Sequence, residues 1–249
     1  LTTLERLDII RLEKSTPYAV YRFKHSIIQE VTYNLMPFAQ RQQLHRAVAQ
    51  WYEQTYAEDL SPHYPLLAYH WSKAVEGPKP EPGVVSNAVD YLEKAGEQAL
   101  HSFANQEAVR LFSEAVSLAQ RIGVLETPVR LAHWERALGQ AHLGLGRLQE
   151  SREHLQKALR TLGEPEPAIA KHTGIAIAGQ VMRQILHRVG VTGLFCQFSK
   201  ERSKLKQAIQ AYAPLSEILF YANEATAATY GVLRALNLAE CLGPSPAMA

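Results

Sequence analysis

Leu92-Glu-Lys-Ala95-Gly96-Glu-Gln-Ala99 and Glu135-Arg-Ala-Leu138-Gly139-Gln-Ala-His142 share one spacing, and each is followed by a matching second segment. The first is followed by Ala108, Phe112 and Ala115, the second by Ser151, Leu155 and Ala158. In both, small residues stand twelve apart, Gly96 to Ala108 and Gly139 to Ser151. A large apolar residue comes four later, and an alanine three beyond that. Apolar residues at three-to-four spacing mark one face of a helix. Two such helices joined by a short turn form an antiparallel hairpin, in which the small residues allow close approach and Phe112 and Leu155 fill the space between neighbours. Asn105 and Gly146 stand where each hairpin is expected to turn. The copies are offset by 43 residues, and the excess falls at 122–130, a loop with Gly123 and Pro128.

The spacing recurs a third time. Tyr212, Leu215, Ser216 and Leu219 match the first helix, and Ala228, Val232 and Ala235 match the second, with Asn223 at the turn. The tails also agree, Ala115-Val-Ser-Leu-Ala119 against Ala235-Leu-Asn-Leu-Ala239. Three copies are about the minimum for a stable stack. The predicted repeats are 88–121, 131–163 and 208–241, within a domain at 84–249. A helical insertion at 164–207 separates the last two. Its helix is marked by Ile175, Ala178, Met182, Ile185 and Leu186, and a compact apolar loop at 190–198 follows. Lys171, Arg183, Arg188, Lys200, Arg202, Lys204 and Lys206 face one acid, Glu201, and are read as a solvated basic face.

The first sixty residues read differently. Leu4 and Leu7 lie on the last turns of a helix. Ile9 to Glu13 and Tyr18 to Phe23 are short β-prone runs around the turn-like Lys14-Ser-Thr-Pro17. Helical spacing resumes at Ser26 to Leu35, and again after Pro37. Helix, hairpin, helix is the outline of a winged-helix domain's end, placed at 1–57. Ser61-Pro62 starts a connecting helix. Gly77-Pro-Lys-Pro-Glu-Pro-Gly83 then makes a stiff linker, which closes a connecting segment at 58–83.

Composition supports a mainly helical chain. Of 249 residues, 47% are hydrophobic and 20% charged, which is ordinary globular material. The net charge of +2 names no partner. Two distant cysteines, Cys196 and Cys241, predict neither a disulfide framework nor a CxxC metal site. A reducing cytoplasm is the expected compartment. No apolar run has the length of a membrane span. The chain begins at Leu1 and ends in a Gly243-Pro-Ser-Pro turn, so it is expected to be part of a longer protein.

The hairpin spacing resembles the tetratricopeptide repeat. Leu138-Gly139 and Ala108/Phe112/Ala115 fit that pattern well. Its aromatic position carries Leu92, Glu135 and Tyr212, its tyrosine position Ala99, His142 and Leu219, and the closing proline is absent. The resemblance therefore implies degenerate repeats.

A second resemblance covers 1–162. Phe23-Lys-His25-Ser-Ile-Ile-Gln-Glu30-Val-Thr-Tyr33 matches F-x-H-x-x-x-x-E-x-x-Y, Arg41-Gln-Gln-Leu-His45-Arg-Ala-Val-Ala49 matches R-x-x-L-H-x-x-x-A, and Ala68-Tyr-His-Trp71 matches A-x-H-W. In this order, ahead of tetratricopeptide repeats, they resemble the end of the ATPase module in large signalling ATPases of the STAND/AAA type. Many of these are similar to class III adenylyl/guanylate cyclases. The resemblance implies a multidomain ATP-dependent regulator, with ATP and Mg bound upstream and no cofactor in this segment.

Chemistry is not expected here. There is no G-x-x-x-x-G-K-[ST] phosphate loop and no HExxH. His25 and His45 are expected to pack two helices or to cap a backbone group. His63 and His70 share a face without a carboxylate or Cys at ligand spacing. Glu164 and Glu166 are read as solvated, and Cys196 as a buried thiol. Ser26 to Leu35 has no Arg or Lys, so nucleic acid is not an expected partner.

The expectation is an all-α, tetratricopeptide-like α-solenoid preceded by a winged-helix-like segment with one β-hairpin. Leu92, Ala95, Gly96, Ala108, Phe112, Ala115, Leu138, Gly139, Ser151, Leu155, Ala158, Ala228, Val232 and Ala235 are predicted to pack the repeats. Exposed first-helix positions Glu97, Gln98, Glu135 and Gln140 are the candidate interaction surface. The expected partner is a protein or peptide, or the parent's own ATPase module held in autoinhibition. The alternatives are the control region of a class III cyclase and an ATP-dependent transcription regulator.

Overall fold

A computed structural model describes residues 1–15, 19–77, 81–122, 127–167, 173–188 and 202–242. Helices supply almost all of its regular structure, as the Ala-, Leu-, Gln- and Glu-rich composition favours. The chain divides into two compact units, Leu1–Ala88 and Val89–Ala249.

The first unit begins with α1 (Thr2–Arg6) and an antiparallel hairpin, β1 (Ile10–Lys14) and β2 (Val20–Phe23). Ile10 pairs with Phe23 and Leu12 with Tyr21, and the register shifts between Leu12 and Lys14. Then come α2 (Ser26–Leu35), α3 (Phe38–Thr55), a 3-10 turn at Ser61–His63 and α4 (Tyr64–Val75). Leu67, Ala68, Trp71 and Val75 of α4 and His45 and Ala49 of α3 are buried. The Trp71 indole N–H donates to Glu53 Oε1 at 3.1 Å, which satisfies its one polar atom. Residues 78–80 of the proline-rich stretch lie outside the described residues. Pro82 opens α5 (Pro82–His101), where a missing N–H costs nothing.

The second unit is built from helical hairpins. α5 pairs with α6 (Asn105–Ile122), α7 (Pro128–Gly144) with α8 (Leu148–Leu162), and α10 (Arg202–Tyr221) with α11 (Ala225–Leu242). α9 (Thr173–Arg188) packs against α11. The basic positions Lys171 and Lys200, the loop at 190–198 and Cys196 lie outside the described residues.

The three hairpin turns are equivalent residue for residue. Phe103, Gly146 and Asn223 have φ of 58°, 72° and 61°. The next N–H in each reaches back five residues: Ala104 to Ala99, Arg147 to His142 and Glu224 to Leu219, at 2.8, 2.9 and 2.9 Å. This left-handed helix ending satisfies carbonyls that the last turn would otherwise leave open. Asn105 is the first residue of α6 rather than the turn itself, and its side chain fills the space over Gly144.

Close approach follows the predicted small residues in the first two hairpins. A Cβ on Gly96 would stand 2.8 Å from the Phe112 ring, and one on Gly139 2.7 Å from Leu155 Cγ. Ser151 Oγ donates to the Gly139 carbonyl at 2.7 Å, which ties the two helices at their crossing. Leu92, Ala95, Ala108, Phe112, Ala115, Leu138, Ser151, Leu155 and Ala158 are all buried.

The third hairpin departs from that pattern. Ala228 is buried and Ala235 partly so, but Val232 is 57% exposed. Gly231 takes the inner position instead, directly opposite Ser216. In the first two copies the missing Cβ is on the first helix and the large residue on the second. Here the first helix carries Ser216, so the room must come from the second helix. α11 turns by about one residue to bring Gly231 inward.

Contacts across the repeats lock the third hairpin in place. Arg152 forms a two-point pair with Glu224 at 2.6 and 3.0 Å. The Tyr212 hydroxyl donates to the Pro165 carbonyl at 2.7 Å. Burial, then the nearby Glu164 charge, pushes the Tyr212 phenol well above its usual range. Glu164 pairs with Arg234 and Glu166 with Arg160, so neither carboxylate is the solvated group expected from the sequence.

Candidate interaction surface

The first helices of the three hairpins, α5, α7 and α10, carry a continuous polar network. At one end Arg130 donates through Nε to Glu93 Oε2 at 2.7 Å and through Nη2 to Asp90 Oδ1 at 2.5 Å. The Trp134 indole donates to the same Glu93 oxygen at 2.9 Å, and the Arg130 guanidinium lies 5.1 Å from the Trp134 ring centre. Trp134 is fully buried, so Glu93 satisfies its polar atom from another helix.

His133 lies at the middle of the network. Its Nδ1 lies 3.1 Å from Arg136 Nη2 and 3.5 Å from Gln207 Nε2. Both neighbours are donors, so Nδ1 accepts and the proton sits on Nε2. Nε2 lies 3.1 Å from Glu97 Oε1, off the line of a good hydrogen bond. The His133 contact, opposed by burial, holds the Glu97 carboxyl below its usual range.

Glu93, Glu97 and His133 converge closely enough to resemble a metal site. The tautomer argues against that use. A cation on Nε2 would drive the proton onto Nδ1, into the Arg136 and Gln207 donors. Ligating histidines instead direct their second N–H at an acceptor. Glu93 Oε2 is committed to Arg130 and Trp134, so Glu93 could offer only Oε1, 3.8 Å from His133 Nε2.

Arg136 is the cation at the centre of the surface. Its guanidinium donates to Gln207 Oε1 at 2.8 Å, Gln140 Oε1 at 3.2 Å and His133 Nδ1 at 3.1 Å. All three acceptors are neutral. Among the described residues no carboxylate forms an ion pair with it. Burial pulls its pKa below the usual value, against the raising effect of the Glu97 charge.

Of the four predicted surface positions, Gln98 and Gln140 are exposed and Glu97 is half-buried. Glu135 is a correction, because it is only 4% exposed. It turns inward to accept from His154 Nδ1 at 2.8 Å and Lys157 Nζ at 2.6 Å, both on α8. Arg136, His133 and Gln207 were not predicted. The signal was present in part: His133, Arg136 and Gln140 stand at i, i+3 and i+7, on one face of α7. The histidines of the first unit also separate. His63 lies against Tyr56, with ring centres 4.1 Å apart, while His70 faces His45. His25 is exposed at the start of α2 and makes no side-chain cap there.

No protein-family model and no curated protein matches this chain. Among solved structures it is similar to BtubC (BKLC) from P. vanneervenii, at 13% identity and a TM-score of 0.33, over 85% of this chain and 94% of that one. YrrB, a TPR protein with an unusual peptide-binding site, is 14% identical, with a TM-score of 0.29 over 86% and 90%. A putative kinesin light chain of Podospora anserina with TPR-like repeats is 14% identical, with a TM-score of 0.31 over 84% and 100%. The last two are repeat proteins by description. At TM-scores of 0.29 to 0.33 the fold assignment rests on the hairpin geometry above.

Proposed function

We propose that the hairpin array is a protein-interaction module that holds a peptide or partner segment against its first-helix face. Arg136 supports this reading. A mostly buried guanidinium whose three hydrogen-bond acceptors are all neutral has no ion-pair partner among the described residues, and only the Glu97 charge, which does not contact it, offsets its own, so an anion at that face would complete the balance. A carboxylate of the partner is the matching group, and the amides of Gln98 and Gln140 would flank it. The test is a fluorescence titration, with Trp134 as reporter, using an acidic peptide and its amidated counterpart. The acidic peptide should bind at least about tenfold tighter. Arg136→Gln should abolish the difference. Equal binding of the two peptides, or an unchanged preference in the variant, would sink the proposal.

The wider setting is proposed on the motifs alone. Phe23 to Tyr33, Arg41 to Ala49 and Ala68 to Trp71 support a winged-helix end in a cytoplasmic STAND/AAA-type ATPase, with the array restraining an upstream nucleotide or cyclase module. A class III cyclase and an ATP-dependent transcription regulator are the alternative parents. The sequence upstream of Leu1 decides: without a phosphate loop there, the ATPase reading fails.

A further inference from the structure

α2 buries none of its ten residues. It stands off α3 and α4 and leaves a cavity of about 690 Å3 within the first unit, in the size range of small-molecule sites. Phe23, Met36, Leu44 and Val48 form apolar walls. The floor is a hydrogen-bonded chain across three helices. The Tyr33 oxygen lies 2.9 Å from His45 Nε2, and His45 Nδ1 lies 2.8 Å from His70 Nδ1.

Two ring nitrogens that face each other share one proton, so one donates and the other accepts. That choice fixes the whole chain. When His45 Nδ1 donates, its Nε2 accepts from the Tyr33 hydroxyl and His70 Nε2 carries an N–H. When His70 Nδ1 donates, His45 Nε2 donates to the Tyr33 oxygen. The Tyr33 O–H is then free, and His70 Nε2 becomes an acceptor. The chain always offers one donor and one acceptor at its ends, and it exchanges them together.

The surroundings define the ligand. Tyr33 and Tyr69 meet His45 edge-on at 81° and 78°, and Tyr69 meets His70 at 74°. Aromatic edges and faces arranged this way suit an aromatic guest. Glu30, the one carboxylate of the lining, opposes an anion. Lys73, held by Glu76, acts on the His45 side and opposes a cation. A hydroxyl or ring N–H can meet either setting of the chain.

We propose that this cavity binds an uncharged aromatic ligand with one hydroxyl or ring N–H, of the phenol or indole type, whose polar group hydrogen-bonds to the Tyr33–His45–His70 chain. The test is an NMR titration of the full 249-residue chain, with ring-labelled histidines and p-cresol, toluene and benzoate as probes. p-Cresol should shift the His45 and His70 signals saturably, with a Kd of about 1 mM or tighter. Toluene and benzoate should each bind at least about tenfold more weakly. Tyr33→Phe should reduce the preference for p-cresol over toluene, and Leu44→Trp, which fills the cavity, should abolish both. The unmodified protein is decisive even if a variant misfolds: no saturable p-cresol shift, or equal affinity for p-cresol and toluene, overturns the proposal.

Discussion

Ser216 and Gly231 face each other across the third hairpin so closely that a Cβ on Gly231 would collide with the Ser216 hydroxyl. That hydroxyl is already engaged, donating to the Tyr212 carbonyl at 2.7 Å. Gly231→Ala should therefore destabilise the protein by about 1–3 kcal/mol through overpacking. Ser216→Gly in the same chain should recover much of the loss, because the two changes act on one contact. Urea denaturation of the four-member cycle measures the coupling, and simple additivity would count against the contact.

Phe103 occupies a backbone conformation that its counterparts fill with Gly146 and Asn223. A bulky side chain is uncommon at φ near +60°, and Phe103 gains nothing from burial, being 85% exposed. Phe103→Asn is expected to stabilise the fold by about 0.5–1 kcal/mol. A thermal melt reads this as a raised Tm, and a lowered Tm would show that the ring makes a stabilising contact.

The His45–His70 pair makes stability depend on pH. Burial, followed by the neighbouring His45, pulls His70 from its usual 6.5 to about 4. Burial, then the Lys73 charge, lowers His45 against the opposing charge of Glu76. The unfolded chain therefore binds more protons than the folded one between about pH 4 and 6.5, and stability rises with pH through that window. Hydrogen exchange of α3 and α4 amides across the window provides the measurement. His70→Leu should flatten the profile there.

Glu135 gives the same slope lower on the scale. Burial raises its pKa, but the bonds and charges of His154 and Lys157 outweigh it and hold the carboxyl below its usual value. Its contribution is present above the ordinary carboxylate pKa and is lost as pH falls through the depressed one. Glu135→Gln should destabilise the protein by about 1–3 kcal/mol at neutral pH. The difference between variant and parent should shrink towards pH 3, and a constant difference would exclude the ionic component.

The parts of the fold legible in the sequence were those set by local spacing. Gly96, Phe112, Gly139 and Leu155 each stand on a helix face marked by small or apolar residues three or four positions away. Val232 misled because the spacing was right while the missing Cβ had moved to the other helix, where only a neighbour fifteen residues away, Ser216, gives Gly231 its meaning. Glu135 looked like a surface residue because nothing nearby in sequence neutralises it. His154 and Lys157 do so from the next helix. The network of Glu93, Arg130 and Trp134 spans some forty residues, and Arg136 reaches Gln207 across 71. Such pairings depend on how hairpins stack, which periodicity does not report.

α10 packs directly on α7 and α8, although α9 lies between them in sequence. The stack is therefore a spine, and α9 is a side branch attached to α11, where Asn237 Nδ2 donates to the Gln180 carbonyl and side-chain oxygen at 3.0 and 2.9 Å. Length changes on that branch would leave the spine's seam intact. A change of length at that one place is expected to leave the hairpins on either side with the same neighbours.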